Sequence, residues 1–335
     1  MEAIALNKYG NSSVLDNVEI EMPAYGASQV LIQVKASGIN LVDAKVRAGI
    51  LEPFMPQSFP LVLGWELSGI VAAIGSEVKN FKVGDEIYSQ INMVQGGTYA
   101  EYAAVNESEV ALKPKTLSYL QAAAVPMGGN TAYTALIKIA DIQKGQKVLI
   151  HGAGGIVGRF AVQIAKLRGA YVIGTASGER IELVKSLGAD EVIDYKTTDF
   201  EKVVQDVDMV LDLVGGETQI KSYSVIKKGG FLLSALPPTP TPEETEEYGA
   251  HPETRAQHSP ELDPEKAAEF GIRAEYYMTA PDAAALTLLA QWIDDAKIKI
   301  PEPTVFTFSE AIKAHEILEK RTVKGKLVFE VQNKY

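Results

Sequence analysis

The fold is decided by the stretch Val148-Leu149-Ile150-His151-Gly152-Ala153-Gly154-Gly155-Ile156-Val157-Gly158, which joins an apolar strand to a helix through a glycine-rich turn. Such a turn lets the backbone approach a pyrophosphate, and amides at the positive end of the helix hold the phosphate oxygens. Registered on the last glycine, the fingerprint is Ala153-x-Gly155-x-x-Gly158, with alanine in the first place and Gly152 keeping the start of the turn flexible. The pattern predicts a dinucleotide site; the alternative is a tight turn without a ligand.

After this turn the chain alternates between helices and strands. A helix at residues 160–167 is followed by apolar strands at 171–173, 192–193, 210–214 and 231–233. Hydrophobic runs buried on both faces and separated by helices are typical of a doubly wound parallel sheet, so an α/β Rossmann-type domain is predicted. The proline- and glutamate-rich stretch 237–264 is interpreted as an acidic surface loop, with a lid over the site as the alternative.

The beginning of the chain has a different pattern. Short strands are expected at residues 30–36, 70–74 and 86–88, with glycine and proline recurring between them. This is typical of an irregular β-rich domain. Between the two regions, residues 120–140 are small and apolar, and helices are expected on either side of Pro126 and the Gly128-Gly129 pair.

Length and composition exclude several classes of protein. The 335 residues are enough for about two domains, and the absence of cysteine excludes disulfides, thiolate zinc sites and a cysteine nucleophile. A net charge of −11 disfavours nucleic acid and anionic membranes as partners. No apolar run approaches the roughly 20 residues that cross a bilayer, and the start of the sequence lacks a signal-peptide pattern. A cytoplasmic protein without a membrane anchor is expected.

The end of the second strand of the nucleotide domain indicates which dinucleotide binds. An NAD site usually has a carboxylate there, which bonds the ribose hydroxyls. Here Gly174-Thr175-Ala176-Ser177 is neutral, and Arg180 lies just beyond it. A 2′-phosphate needs cationic and hydroxyl donors, so NADPH is the expected cofactor, with Glu179 pointing to solvent.

Several motifs in the same order resemble the medium-chain dehydrogenase/reductase superfamily, and the most similar branch is the zinc-free quinone oxidoreductases, which include zeta-crystallin. The motifs are Gly38-Ile39-Asn40-Leu41-Val42-Asp43, Gly64-Trp65-Glu66-x-x-Gly69, Val83-Gly84-Asp85-Glu86-Ile87, Ala122-Ala123-Ala124-Val125-Pro126 continuing to Thr131-Ala132-Tyr133, Gly188 to Tyr195, and Lys324-Gly325-Lys326-Leu327-Val328. The resemblance implies a GroES-like catalytic domain over residues 1–123 and 280–335 and an NADP-binding Rossmann domain over 124–279. It also implies a homodimer joined through the sheet edge at residues 272–278.

The departures from the zinc enzymes of this superfamily predict the chemistry. Asp43 lies near the place of their cysteine ligand and Trp65 stands in the place of their histidine, while the four histidines have no ligand spacing. A metal site is therefore not expected. Reduction of a conjugated electrophile needs no metal, so the expected reaction transfers a hydride from NADPH to a quinone or another α,β-unsaturated carbonyl. The alternatives are a reductase of enals or enoyl thioesters and an NADPH-binding protein without turnover.

The resemblance also implies the residues of the site. Asn40 is expected to be a donor near the substrate or the nicotinamide ribose; Asp43 either anchors its loop or acts in catalysis. Lys45 stands near a place where some relatives have a tyrosine, so it is a candidate proton donor, with solvent as the alternative. The cofactor contacts would be Thr131 near the nicotinamide, Gly152 and Ala153 in the turn, the amides of Gly154, Gly155, Ile156 and Val157 at the pyrophosphate, Ser177, Arg180, Tyr195 and Arg321 at the 2′-phosphate, and Val214 at the adenine or ribose.

Overall fold

A computed structural model describes residues 1–52, 56–93, 95–236, 262–320 and 325–332. Its strands are β1 (Glu2–Leu6), β2 (Asp16–Glu19), β3 (Gln29–Ile39), β4 (Leu61–Val62), β5 (Glu66–Ile74), β6 (Glu86–Gln90), β7 (Tyr102–Asn106), β8 (Val110–Leu112), β9 (Lys147–Ile150), β10 (Tyr171–Ala176), β11 (Glu191–Asp194), β12 (Val207–Asp212), β13 (Ile226–Ser234), β14 (Arg273–Tyr276), β15 (Thr304–Phe306) and β16 (Leu327–Glu330).

The helices of the described residues are α1 (Leu41–Arg47), α2 (Tyr119–Ala122), α3 (Pro126–Tyr133), α4 (Ile156–Leu167), α5 (Arg180–Ser186), α6 (Gly216–Ser222), α7 (Pro264–Phe270), α8 (Ala283–Asp294) and α9 (Ala311–Lys320). Pro126 begins α3, a position where the N–H that proline lacks would have no acceptor within the helix. Gly128 and Gly129 lie inside α3, so the expectation that they separate two helices is wrong. A π-helical segment, Thr134–Ile139, continues directly from α3.

Two compact units divide the chain: a first unit of residues 1–130 with 280–335, and a second unit of residues 131–279. In the first unit, the long strand β3 pairs with β5, β7 and β16 in a seven-stranded sheet, and β1 pairs with β2 and β4 in a smaller one. Its core is built from the inward side chains of these strands, including Trp65 and Phe329, neither of which reaches solvent. This is the irregular β architecture that the sequence predicted.

The second unit is a parallel six-stranded sheet in the order β11-β10-β9-β12-β13-β14. Counted from β9 as the first strand, the order is 3-2-1-4-5-6, the doubly wound Rossmann arrangement. The predicted α/β fold class is therefore confirmed. The order reverses between β9 and β12, and ligands of such sheets bind at the carboxyl ends of the strands at this point. The turn after β9 lies there.

Some predicted features fall outside the described residues or differ at their ends. Residues 237–261 of the acidic loop are not described, and α7 begins at Pro264 with Asp263 as its N-cap. The strand expected to reach Val214 ends at Asp212. Within the described residues, no helix has the length and apolar character needed to cross a membrane.

Candidate functional site

The turn after β9 brings backbone very close to backbone at Gly158. A Cβ on Gly158 would lie 2.6 Å from the Cα of Ala153 and would collide with the carbonyl oxygen of Gly152. Gly152 itself has a φ of +69°, which disfavours other residues. The first turn of α4 thus packs directly against the end of β9, and a side chain at Gly158 would force the two apart. A pyrophosphate cradle of the Rossmann type has this construction.

The alanine in the first place of the fingerprint is explained by the neighbouring strand. Ala153 is fully buried, and its methyl group faces Gly174 of β10, where a Cβ would lie only 2.9 Å away. The missing glycine is therefore compensated by a glycine on the adjacent strand, and the close packing between turn and sheet is kept.

The amides of the turn have different partners. Gly155 donates its N–H to the carbonyl oxygen of Gly152 at 2.9 Å, so this amide already holds the turn together. Gly155 is also the N-cap of α4, and the amides of Ile156 and Val157, in the first helical turn, have no acceptor within the helix. These two amides, with the helix dipole behind them, are suited to hold an anion.

His151 supports the turn from below. Its Nε2 lies 3.0 Å from the hydroxyl of Ser222, its Nδ1 lies 3.3 Å from Oγ1 of Thr175, and that same oxygen accepts the N–H of Gly152 at 3.2 Å. Burial lowers the pKa of His151 to about 4, so the ring is neutral at physiological pH. His151 therefore stabilises the backbone of the turn at Gly152 through its contact with Thr175.

The carboxyl ends of β10 and β11 bring Ser177 and Tyr195 together. The hydroxyl of Ser177 donates to the hydroxyl of Tyr195 at 2.9 Å, and Tyr195 is largely exposed. Arg180 begins α5, its side-chain carbons lie against Gly154, and Glu179 is exposed. Val214 is half exposed next to Gly152, in a loop whose amides at Val214 and Gly215 donate to Asp212. Neutral hydroxyls and a cation thus surround the strand end.

In the first unit, Asn40 is held in a buried charged network. Its Nδ2 donates to Oε1 of Glu66 at 2.7 Å, and its Oδ1 accepts from Nζ of Lys326, which also forms an ion pair with Glu66. The other carboxylate oxygen of Glu66 accepts the N–H of Met127 at 2.7 Å. Gly38 makes room for this carboxylate, because a Cβ there would collide with Glu66. The orientation of the Asn40 amide is therefore fixed.

Asp43 lies next to this network with no exposed surface. Its Oδ2 accepts the N–H of Asn40 and the hydroxyl of Tyr99, both at 2.6 Å, while Oδ1 has no hydrogen-bond partner among the described residues. Burial raises the pKa of Asp43 to about 7 against the opposing effect of these donors. Through these bonds Asp43 anchors the start of α1 and with it the backbone of Asn40.

The remaining candidates are placed as follows. Lys45 is half-buried on α1, and Thr131 is buried, with its carbonyl oxygen accepting the hydroxyl of Tyr277 at 3.0 Å. Arg321 lies outside the described residues. Sequence reasoning did not assign a site role to Lys326 or to Arg159. Lys326 lies in the quoted motif Lys324-Gly325-Lys326-Leu327-Val328, and Arg159 is a basic residue inside an apolar run, which was the available signal.

The side chains do not fit a zinc site of the superfamily's kind. The chain has no cysteine, and Trp65, at the place of the histidine ligand, is buried and donates its Nε1–H to the carbonyl oxygen of Met93 at 2.9 Å. In the part of the chain that the structure describes, no group of three or more histidine, aspartate or glutamate side chains is arranged to hold a metal ion.

Comparison with known proteins finds similarity over the whole chain. Two family models match, one described as the alcohol dehydrogenase GroES-like domain, at residues 26–115, and one described as zinc-binding dehydrogenase, at residues 187–329. The structure of the quinone oxidoreductase from Coxiella burnetii is 34% identical, with 99% of each chain covered and a TM-score of 0.85. That of Escherichia coli quinone oxidoreductase complexed with NADPH is 26% identical, covering 99% of this chain and 100% of the other, with a TM-score of 0.83.

A sequence relative of different activity is also similar. The 2-methylene-furan-3-one reductase of Solanum lycopersicum is 40% identical over 243 residues, which is 70% of this chain and 61% of that protein. The match therefore spans less than two thirds of that relative's length.

Proposed function

The chain belongs to the medium-chain dehydrogenase/reductase superfamily, in its quinone oxidoreductase branch, and on this premise we propose that it is an NADPH-dependent reductase of quinones or other α,β-unsaturated carbonyl compounds. The family is one of NAD(P)H-dependent oxidoreductases. What we propose beyond this is the use of NADPH in preference to NADH and a quinone or enone as the acceptor. The observation that carries it is that β10 ends without an acidic residue: Ser177 follows the strand, its hydroxyl bonds the hydroxyl of Tyr195 from the end of β11, and Arg180 begins α5.

The second unit has the groups that the cofactor needs. The glycine turn allows a pyrophosphate close to the backbone, and the amides of Ile156 and Val157 lie at the start of α4, where they have no acceptor within the helix. At the end of β10, the hydroxyl pair of Ser177 and Tyr195 together with Arg180 suits a 2′-phosphate, which a carboxylate would repel. When bound, the reduced nicotinamide supplies a hydride to the acceptor.

Asn40 is proposed to orient the acceptor. An amide nitrogen carries two hydrogens, and Glu66 takes one of those on Asn40, so the other remains to be donated to a substrate oxygen. Because Lys326 and Glu66 fix the amide, this donor is set before the substrate arrives. The negative charge that develops on a reduced quinone or enone is delocalised in the substrate itself, so one well-placed donor suffices.

Asp43 and Lys45 have different proposed roles. The Oδ2 of Asp43 accepts hydrogen bonds from the Asn40 N–H and the Tyr99 hydroxyl, so we assign Asp43 to positioning the Asn40 backbone. The proton that completes reduction comes either from Lys45, whose side chain is half-buried on α1, or from solvent.

A second candidate function is reduction of an enone carrying an exocyclic methylene group. It is favoured by the 40% identity to a 2-methylene-furan-3-one reductase. Both candidates share the cofactor and the hydride step, and they differ in the shape of the acceptor.

The proposal is tested by measuring the steady-state oxidation of NADPH with a panel of candidate acceptors: para-quinones, ortho-quinones, enals, exocyclic enones and enoyl thioesters. We expect turnover with at least one quinone or enone and a preference for NADPH over NADH. Intact NADPH binding without turnover across the panel would favour a binding protein without catalysis and would contradict the reductase assignment.

Arg180→Ala tests the cofactor assignment separately. Loss of a charged contact to the 2′-phosphate is expected to weaken NADPH binding by about 1.5–3 kcal/mol and to leave NADH binding nearly unchanged. Equal losses for the two cofactors would contradict the placement of Arg180 at the phosphate.

We also propose that two copies of the chain form a homodimer through the edge strand β14. It lies at one end of the second unit's sheet, where a second copy can add its own β14 through backbone hydrogen bonds. Sedimentation equilibrium checks this, and a mass of one chain at micromolar concentration would contradict it.

A further inference from the structure

Asp212, the last residue of β12, is fully buried, and its carboxylate joins three neighbouring segments of the second unit. Its Oδ1 accepts the N–H of Val214 at 3.0 Å and the N–H of Gly215 at 2.9 Å. Its Oδ2 accepts the side-chain amide of Gln219, on α6, at 3.0 Å and the hydroxyl of Ser234, at the end of β13, at 3.1 Å. The two oxygens thus accept four hydrogen bonds and donate none, which is the pattern of an ionised carboxylate.

The four groups that donate to Asp212 are all neutral. Within the described part of the chain, no lysine or arginine forms an ion pair with this carboxylate. Burial lowers the pKa of His151, at the end of the adjacent strand β9, and the charge of Asp212 opposes this effect, but the ring stays neutral at physiological pH. The end of β12 therefore keeps a buried negative charge, and such a charge acts over a longer range than one in water because the surrounding dielectric is low.

This charge lies in the half of the sheet that is expected to hold the nicotinamide. A Rossmann sheet has two halves, each of which binds one mononucleotide, and the glycine turn belongs to the adenosine half, β9 to β11. The nicotinamide mononucleotide is therefore expected at the carboxyl ends of β12 to β14. Thr131, the expected nicotinamide contact, agrees with this, because its carbonyl oxygen accepts the hydroxyl of Tyr277, which directly follows β14. Asp212 ends the first strand of this half.

We propose that the buried carboxylate of Asp212 stabilises the positively charged nicotinamide ring of the oxidised cofactor, and that it thereby makes the bound reduced cofactor a stronger hydride donor. The inference rests on the proposed use of NADPH. Hydride transfer moves two electrons and one hydrogen nucleus from the reduced nicotinamide to the acceptor, which also takes up a proton, and it leaves one positive charge on the nicotinamide ring. A fixed negative charge lowers the free energy of that charged ring more than the free energy of the neutral reduced ring.

The phosphates of the cofactor do not obscure this effect. NADPH and NADP⁺ carry the same phosphates and the same adenosine, so repulsion between Asp212 and a phosphate weakens the binding of both equally. The ratio of the dissociation constant of NADP⁺ to that of NADPH therefore isolates the charge on the nicotinamide. A carboxylate that only anchors the loop at Val214 and Gly215 would change both constants by the same factor.

Binding measurements on variants of Asp212 test this assignment. Asp212→Asn removes the charge and keeps both the size of the side chain and an oxygen for the amides of Val214 and Gly215. Asp208→Asn is the matched control, because it changes a second carboxylate of β12 that lies about 13 Å away along the strand. Titration calorimetry gives the dissociation constants of NADPH, of NADP⁺ and of adenosine 2′,5′-bisphosphate, which lacks the nicotinamide. Melting temperatures report whether each variant is folded.

In Asp212→Asn, the ratio of the NADP⁺ constant to the NADPH constant should rise at least about fivefold over that of the wild type. Asp208→Asn should keep the wild-type ratio, and binding of the bisphosphate should show that the phosphate site is intact in both variants. Parallel changes of the NADPH and NADP⁺ constants in Asp212→Asn, or a lower ratio, overturn the proposal. If Asp212→Asn does not fold, Asp212→Ser, which also removes the charge, decides by the same ratio. Wild-type protein that does not bind NADPH overturns the proposed function itself.

Discussion

Lys326 and Glu66 form an ion pair inside the first unit, where their side chains are 3% and 0% exposed. The two residues lie far apart in the chain, and Asn40 bonds to both of them. Removing one partner of a buried pair leaves an uncompensated charge, which costs more than the pair itself contributes. We therefore expect the intact pair to contribute little to the free energy of unfolding, whereas removal of one of its two charges should lower that free energy strongly.

Glu66→Gln is expected to lower the free energy of unfolding by about 3–5 kcal/mol, because the ammonium of Lys326 is left buried without its counter-charge. The double variant Glu66→Gln with Lys326→Met should recover much of this loss. Urea unfolding measures both. Lys82→Met is the control, since Lys82 is 82% exposed in its pair with Asp85 and should cost less than about 1 kcal/mol. Equal losses in the single and double variants would show that the two charges are not coupled.

Asp43 predicts a dependence of stability on pH. Its pKa is about 7 in the folded chain and near 3.8 in the unfolded chain, so between these values the folded state binds the extra proton. The contribution of Asp43 is fully present below pH 3.8 and is lost as the pH rises through 7. Over this range it amounts to about 4 kcal/mol.

Asp43→Asn should remove this contribution to the pH dependence, so the variant should gain stability relative to the wild type as the pH rises from 5 to 8. Urea unfolding at several pH values measures the difference, and Asp16→Asn, at an exposed carboxylate, is the control. Parallel pH profiles for Asp43→Asn and wild type would be evidence against a raised pKa.

Gly158→Ala should abolish or strongly weaken cofactor binding. The added methyl group collides with Gly152 and Ala153, so α4 must move away from β9 and the amides of its first turn move with it. Fluorescence titration with NADPH measures the effect. Gly26→Ala is the matched control, because a Cβ there meets only the side chain of Gln29 at 3.6 Å. NADPH binding as tight in Gly158→Ala as in the control would exclude this turn as the phosphate site.

Activity is expected to survive dialysis against a strong chelator. The chain has no cysteine, Trp65 stands where a histidine ligand would be needed, and the proposed acceptors delocalise their own negative charge. Initial rates of NADPH oxidation before and after dialysis measure this, with a zinc-dependent alcohol dehydrogenase treated in parallel. Activity lost on dialysis and restored by zinc would overturn the reaction proposed here.

Sequence reasoning was most accurate where local pattern decides structure. The alternation of strands and helices from Lys147 onward predicted the parallel strands β9 to β13, because strands buried on both faces must be apolar along their whole length. It was wrong at Gly128 and Gly129, which lie inside α3. Glycine has a poor intrinsic preference for helix, but tertiary packing overrides that preference.

The sequence by itself determined the phosphate-type turn, the neutral end of β10 and the absence of thiol ligands, because these depend on the conformations and chemistry of neighbouring residues. Only the tertiary structure decided that Asn40 is clamped by Glu66 and Lys326, and that Gln219 and Ser234 meet at Asp212. The physical reason is that charges buried in a protein need partners, and the fold brings those partners together from distant parts of the chain. Local sequence carries no record of which of them will meet.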